Sequence, residues 1–332
     1  MRTLVAGFAE QLRQAQAIGK QIPPIEHSVD LNAVWVLGLG GSAFGAEVVR
    51  NYVADQLRVP FLISRSYSVP AAVGPGSLVI ASSYSGNTEE TLEAVADAQR
   101  QGAQQIVCIT SGGELARWAD AHGYPVVRLP EGFPPRAASG LSIVVQLHLL
   151  HQAGLLTDVS NAIEHAIAAV EGFPEAQHVA AKALAQALRG QLAVIYSADA
   201  IDSVALRLRQ QLNENAKRLC WHHTLPEMNH NELVGWEGPR VALDSCRAIL
   251  LRSSHEHPRV ALRFAILEEL LGQRGVAGVH TVRVEAKTRL SELLMLIHFT
   301  DWVSVYLAEA EGVDPTPVQV IDYLKSELAQ RP

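Results

Sequence analysis

Two stretches of the chain carry glycines and hydroxyl residues in a pattern suited to holding an anion. Gly38-Leu39-Gly40-Gly41-Ser42 follows the apolar run Val34-Trp35-Val36-Leu37. Ser82-Ser83-Tyr84-Ser85-Gly86-Asn87-Thr88 follows Leu78-Val79-Ile80-Ala81. Each reads as a strand, a loop and a helix start. The first turn of a helix leaves backbone N–H groups unpaired and its dipole favours negative charge, so both loops are candidate phosphate cradles. In the second, Ser83, Ser85 and Thr88 place three hydroxyls around Gly86. Hydroxyls and backbone N–H groups together can take all three terminal oxygens of a phosphomonoester. Capping by Asn87, with Glu90 three residues on, accounts for those two residues but leaves Ser83 and Ser85 without a reason. The first loop also fits a dinucleotide fingerprint, with Gly38, Gly40 and Ala43 as G-x-G-x-x-A. The acidic residue expected at the end of the next strand is missing. Ser64-Arg65-Ser66 stands there, which suits a 2′-phosphate and keeps an NADP-dependent oxidoreductase open as a reading.

Such loops must be positioned by a sheet. Short apolar runs at 34–37, 60–63, 78–81, 105–109 and 125–129 alternate with helical stretches at about 43–56, from the second loop to about 100, and at about 139–156. Strands alternating with helices predict a parallel sheet with helices on both faces. An N-terminal helical segment, 1–29, precedes this domain of 30–156; its spacing predicts a helix over 4–20, which Pro23 and Pro24 end. The remainder, 157–332, repeats the rhythm. It has predicted strands at 192–196, 248–251 and 281–284 and helices at about 176–189, 201–217, 258–273, 291–310 and 319–329. The expected class is α/β with two such domains.

Composition narrows the function classes. Of the 332 residues, 48% are hydrophobic and 18% charged, as in a folded globular protein. The formal net charge of −7 argues against a broad nucleic-acid face, which needs clustered Lys and Arg. The three cysteines, Cys108, Cys220 and Cys246, have no metal or disulfide spacing, so a reducing cytosol is expected. The N-terminus lacks a signal-peptide pattern, and no stretch offers about 18 uninterrupted apolar residues. A membrane partner is therefore not expected.

Gly40-Gly41-Ser42 followed by Ser83-Tyr84-Ser85-Gly86-Asn87-Thr88-Glu89-Glu90-Thr91 resembles the sugar isomerase (SIS) domain family. The fuller pattern is similar to the bifunctional phosphoglucose/phosphomannose isomerases. It continues through Pro135-Arg136-Ala137-Ala138, Asn213-Glu214-Asn215-Ala216-Lys217, Pro226-Glu227-Met228-Asn229-His230-Asn231-Glu232 and Ile321-Asp322-Tyr323-Leu324-Lys325. The resemblance implies two flavodoxin-like SIS domains, of which only the first holds phosphate, through Gly41, Ser42, Ser83, Ser85 and Thr88. It also implies a homodimer acting on a hexose phosphate, with the active site shared between subunits and His230 supplied from the partner subunit.

Aldose–ketose isomerisation moves a proton between C2 and C1 through a cis-enediol(ate). It needs one base that reaches both carbons, a group to stabilise the developing charge, and an acid and base to open a cyclic sugar. Neither a cofactor nor a metal is expected. Glu214 is the candidate base; a lone helical Glu would ordinarily be solvated or paired, here with Lys217 or Arg218, but the matched motif singles it out. His230 and Lys325 are the ring-opening candidates, and Arg136 the candidate for charge stabilisation. His222 and His223 raise a metal site with His230, but the spacing fits no common zinc pattern. A non-catalytic phosphosugar-binding regulator is the remaining alternative. Thr316-Pro317-Val318-Gln319 departs from some bifunctional members, which have Thr-Pro where Val318 and Gln319 stand, so the mannose substrate is the less secure expectation.

Overall fold

A computed structural model describes residues 1–27, 29–276 and 278–331. In chain order the first half carries α1 (Arg2–Ala6), α2 (Phe8–Gly19), β1 (Ala33–Leu37), α3 (Gly40–Val53), β2 (Phe61–Ser64), β3 (Ser77–Ser82) and α4 (Glu89–Arg100). There follow β4 (Gln105–Thr110), α5 (Gly113–His122), β5 (Val126–Arg128), α6 (Ser139–Gln152) and α7 (Ser160–Glu171). The second half continues with α8 (Glu175–Ala187), β6 (Leu192–Ala198), α9 (Asp202–Glu214), β7 (Cys220–Leu225), α10 (Glu232–Gly235) and α11 (Arg240–Ser245). It ends with β8 (Cys246–Leu251), α12 (Pro258–Gln273), β9 (Val279–Val282), α13 (Arg289–Ala310) and α14 (Gln319–Leu328).

The chain divides into two compact units. One is Ala6–Gly172 with Ala286–Met295; the other is Met1–Val5, Phe173–Glu285 and the chain from Leu296 onward. The first holds a five-stranded parallel sheet in the order β2-β1-β3-β4-β5. That is the flavodoxin-like order, whose ligand crevice opens between β1 and β3. Both central strands are buried along their whole length. This is why they read as unbroken apolar runs rather than alternating ones. Trp35, Leu37, Val79, Ala81, Ile106 and Cys108 pack with Ala94, Val95, Leu115 and Ala119 in one core layer.

The second unit holds a four-stranded parallel sheet, β7-β6-β8-β9, the same order without the fifth strand. The two-domain α/β architecture expected from the repeated rhythm is what folds. Five elements go beyond that reading: α5, α7, β7, α10 and α11. β7 has the sequence Cys-Trp-His-His-Thr-Leu and lies at a sheet edge, so only its ends, Cys220 and Leu225, are buried. The 4–20 helix is broken at Gly7 into α1 and α2.

α13 is long and apolar enough to cross a membrane by length and composition, yet 89% of its apolar window is buried in the fold. Within the second unit a bidentate ion pair ties α13 to α9: Arg207 donates to both Asp301 oxygens at 2.7 and 2.8 Å, and both side chains are buried. All three cysteines are free thiols. Burial pushes Cys108 up to about 12 and Cys220 up to about 11, which keeps both as inert thiols at neutral pH.

Candidate active site

In the first unit the loops after β1 and β3 meet at the sheet's switch point. Gly38 lies where a Cβ would come within 2.7 Å of the Ser82 carbonyl oxygen, so a bare backbone is needed for the two strand ends to close up. Ser42, in the first turn of α3, accepts a hydrogen bond on its Oγ from the Tyr84 N–H at 3.2 Å. Across the second loop, Ser83 Oγ and Thr88 Oγ1 are 2.8 Å apart. Ser85 is exposed and accepts from the Asn87 N–H at 3.3 Å. The loop reverses at Gly86, with φ +70°, where a Cβ would stand 1.9 Å from the Gly112 carbonyl oxygen. Only glycine fits that turn.

Neither α3 nor α4 has a side-chain cap at its start. Their first-turn N–H groups, in the segments that follow β1 and β3, are thus left open to an anion. Asn87 does not cap α4, as its spacing from Glu90 had suggested. Thr88 holds that position, and Asn87 Oδ1 instead accepts from the Glu114 N–H in the first turn of α5, at 3.1 Å.

Arg136 is brought to this place by backbone packing. It sits in a 3-10 turn, Pro135–Ala137, and is buried. At Gly41 a Cβ would meet the Pro135 carbonyl oxygen at 2.5 Å, so the turn rests directly on the start of α3. Gln11 holds it from the other side, donating to the Ala137 carbonyl at 2.6 Å and accepting from the Gly140 N–H at 2.8 Å. Tyr84 couples the phosphate-type loop to the approach of that turn. Its hydroxyl donates to the Pro130 carbonyl at 2.8 Å and accepts from the Phe133 N–H at 3.0 Å. Nothing in the linear motif marks Tyr84 for this part.

The arrangement speaks against the dinucleotide reading of the first loop. Arg65, the candidate for a 2′-phosphate, pairs instead with Glu47 of α3, which Arg50 also holds at 2.7 Å. Gly38 is accounted for by strand closure alone.

In the second unit the equivalent switch point, between β6 and β8, has different chemistry. β6 runs into Asp199 and Asp202 rather than glycines. After β8, Arg252 is already satisfied by Glu256; this pair is buried, and the guanidinium lies 4.4 Å from the Phe264 ring centre. This crevice thus lacks the glycine and hydroxyl loops of the first, and its arginine is already paired.

Glu214 closes α9 and is half-buried. With Asn213, Lys217 and residues 317–321 it lines a cavity of about 530 Å³. Asn215 anchors the helix end, donating to Ser304 Oγ at 3.0 Å from full burial. Lys217 adopts φ +56°, the left-handed turn that glycine usually supplies after a helix, and its ammonium donates to the carbonyls of Glu214 and Pro317 at 2.5 and 2.8 Å. Arg218 pairs with Glu311.

Lys325 is exposed on α14, beyond the 317–321 segment that walls the cavity. His230 is exposed at the end of a short 3-10 turn, Glu227–His230. Among the described residues no group of three or more His, Cys, Asp or Glu is gathered to hold a metal.

Comparison with known proteins agrees with this architecture. Residues 30–156 match the SIS domain family, and residues 177–328 match the bacterial phospho-glucose isomerase C-terminal SIS domain. A bifunctional phosphoglucose/phosphomannose isomerase from Caldicellulosiruptor bescii is 38% identical over 98% of each chain. One of the same name from Aquifex aeolicus is 33% identical over 98% of this chain and 97% of its own. Among solved structures, the C-terminal domain of glucosamine-fructose-6-phosphate aminotransferase from Francisella tularensis superposes with a TM-score of 0.73. It covers 92% of this chain and 96% of its own at 14% identity, a likeness of fold. With two SIS domains in this order and relatives matched end to end, the chain belongs to the bifunctional phosphoglucose/phosphomannose isomerase family.

Proposed function

We propose that the chain interconverts glucose 6-phosphate, and also mannose 6-phosphate, with fructose 6-phosphate. Gly41, Ser42, Ser83, Ser85 and Thr88 hold the phosphate. His230 and Lys325 open the sugar ring, one taking the hydroxyl proton and the other returning a proton to the ring oxygen. The Glu214 carboxylate then removes the proton from C2 of the aldose. The electron pair forms the C1–C2 double bond as the C1 carbonyl becomes an enediolate oxygen, whose charge Arg136 stabilises. A proton passes from the C2 hydroxyl to the C1 oxygen, Glu214 returns its proton to C1 and the C2 oxygen becomes the carbonyl, so no atom is gained or lost. The proposal extends to a homodimer in the cytosol, with His230 of the partner subunit serving each site.

The observation that supports this reading most is the convergence of Ser42, Ser83 and Thr88 with two side-chain-uncapped helix starts at one switch point. A phosphomonoester is the ligand such a set satisfies, and the family relationship names the sugar. The test is Glu214→Gln. Removing the base should lower turnover by about 10²–10⁴-fold, while binding of glucose 6-phosphate, followed by calorimetry, stays within a few-fold. Turnover retained in a coupled assay would take Glu214 out of its role.

A further inference from the structure

The motif that carries His230 also carries Glu232, which the chemistry above leaves without a task. Tyr196 lies at the middle of β6 and is fully buried. Its hydroxyl donates to Glu232 Oε1 at 2.5 Å and accepts from Trp236 Nε1 at 2.8 Å. The other carboxylate oxygen of Glu232 meets Nδ1 of His223, the residue that faces Tyr196 across the β6–β7 ladder. Asn231 Oδ1 closes the turn on the Glu232 N–H at 2.5 Å. One carboxylate thus fastens the segment to two neighbouring strands. Trp236 is buried on one side of it, and Met228 is fully buried on the other. Arg263 steadies the same turn, donating to Asn229 Oδ1 at 3.3 Å. His230 lies exposed between these fastenings.

We propose that Glu232, clamped by Tyr196 and His223, is a positioning residue that fixes the His230 turn for ring opening; this rests on the role given to His230 above. An apolar residue at 196 would fill the strand without the cost of desolvating a hydroxyl and a carboxylate. What the polar network adds is a fixed path for the backbone on both sides of His230. An acid–base group displaced by about 1 Å loses on the order of a hundredfold in rate, so such fixing has a kinetic consequence.

The test uses Tyr196→Phe and Glu232→Gln in the full chain and reads ring opening apart from isomerisation. Enzyme-catalysed interconversion of the glucose 6-phosphate anomers is followed by exchange NMR above the uncatalysed rate. Fructose 6-phosphate formation is followed in a coupled assay, and inorganic phosphate binding by calorimetry. Both variants should lose about ten- to a hundredfold in anomer exchange and in kcat, with KM and phosphate binding within twofold of wild type. If one variant fails to fold, the other carries the test. Anomer exchange at the wild-type rate overturns the inference, as does a matching loss of phosphate binding, which marks general unfolding. A wild-type chain that forms fructose 6-phosphate without catalysing anomer exchange overturns it and leaves the isomerase reading standing. A chain that forms no fructose 6-phosphate removes both.

Discussion

Ser83 and Thr88 hold each other at 2.8 Å, and in the proposed site these two hydroxyls take a phosphate oxygen. Ser83 is buried, so a missing donor there cannot be replaced by bulk water. A hydrogen bond to a charged group contributes about 1.5–3 kcal/mol, so Ser83→Ala should raise KM for glucose 6-phosphate roughly ten- to a hundredfold with little change in kcat. Steady-state kinetics checks this; an unchanged KM would place the phosphate elsewhere. These hydroxyls were legible in the sequence because loop chemistry is written in consecutive residues. The approach of Arg136 to Gly41 was not, because it depends on a carbonyl passing 2.5 Å from where a side chain would begin. Nor was the Tyr196–Glu232 bond, since a tyrosine inside an apolar run looks like any other core residue until its partner is located.

At the scale of elements, α9 carries Glu214 and is locked to α13 by Arg207 and Asp301. Asp301→Ala would take the bidentate carboxylate partner from a buried arginine. It should cost about 3–5 kcal/mol of stability, read as a lowered denaturation midpoint. α13 also carries His298, whose Nε2 accepts from Trp302 Nε1 at 3.0 Å. Burial, aided by the charge of His178, pushes His298 down to about 3. The unfolded imidazole titrates near ~6.5, so below that pH the unfolded chain binds a proton that the folded chain refuses. The stability contribution is complete above about 6.5 and falls as pH drops toward 3, at up to ~1.4 kcal/mol per pH unit. His298→Gln keeps an acceptor for Trp302 and should flatten the fall between about pH 6.5 and 5, as measured by denaturant titration. His148, lowered chiefly by burial, would leave a residual slope. An undiminished slope would assign the dependence to other groups. The buried strands β1, β3, β4, β6 and β8 could be read from apolar runs. β7 could not, because an edge strand with His222 and His223 exposes most of its length and loses the apolar signal.

Across the whole molecule, two sheets share a strand order but differ at the crevice where that order turns. One opens into glycines and hydroxyls; the other opens into Asp199 and Asp202, and the arginine after β8 is already paired with Glu256. The duplication was visible in the alternating rhythm of strands and helices. The asymmetry was only implied by family resemblance, because the Arg252–Glu256 pair has no signature as a motif. A single phosphate crevice, a carboxylate base and no need of a nicotinamide are the claims that define the activity. The most direct measurement is incubation of the intact chain with glucose 6-phosphate and with mannose 6-phosphate separately, with a chelator present and no nicotinamide in the reaction, followed by assay of the quenched mixture for fructose 6-phosphate. Fructose 6-phosphate is expected from glucose 6-phosphate, and also from mannose 6-phosphate. No fructose 6-phosphate from either sugar, or its appearance only when a nicotinamide is added, would contradict these claims.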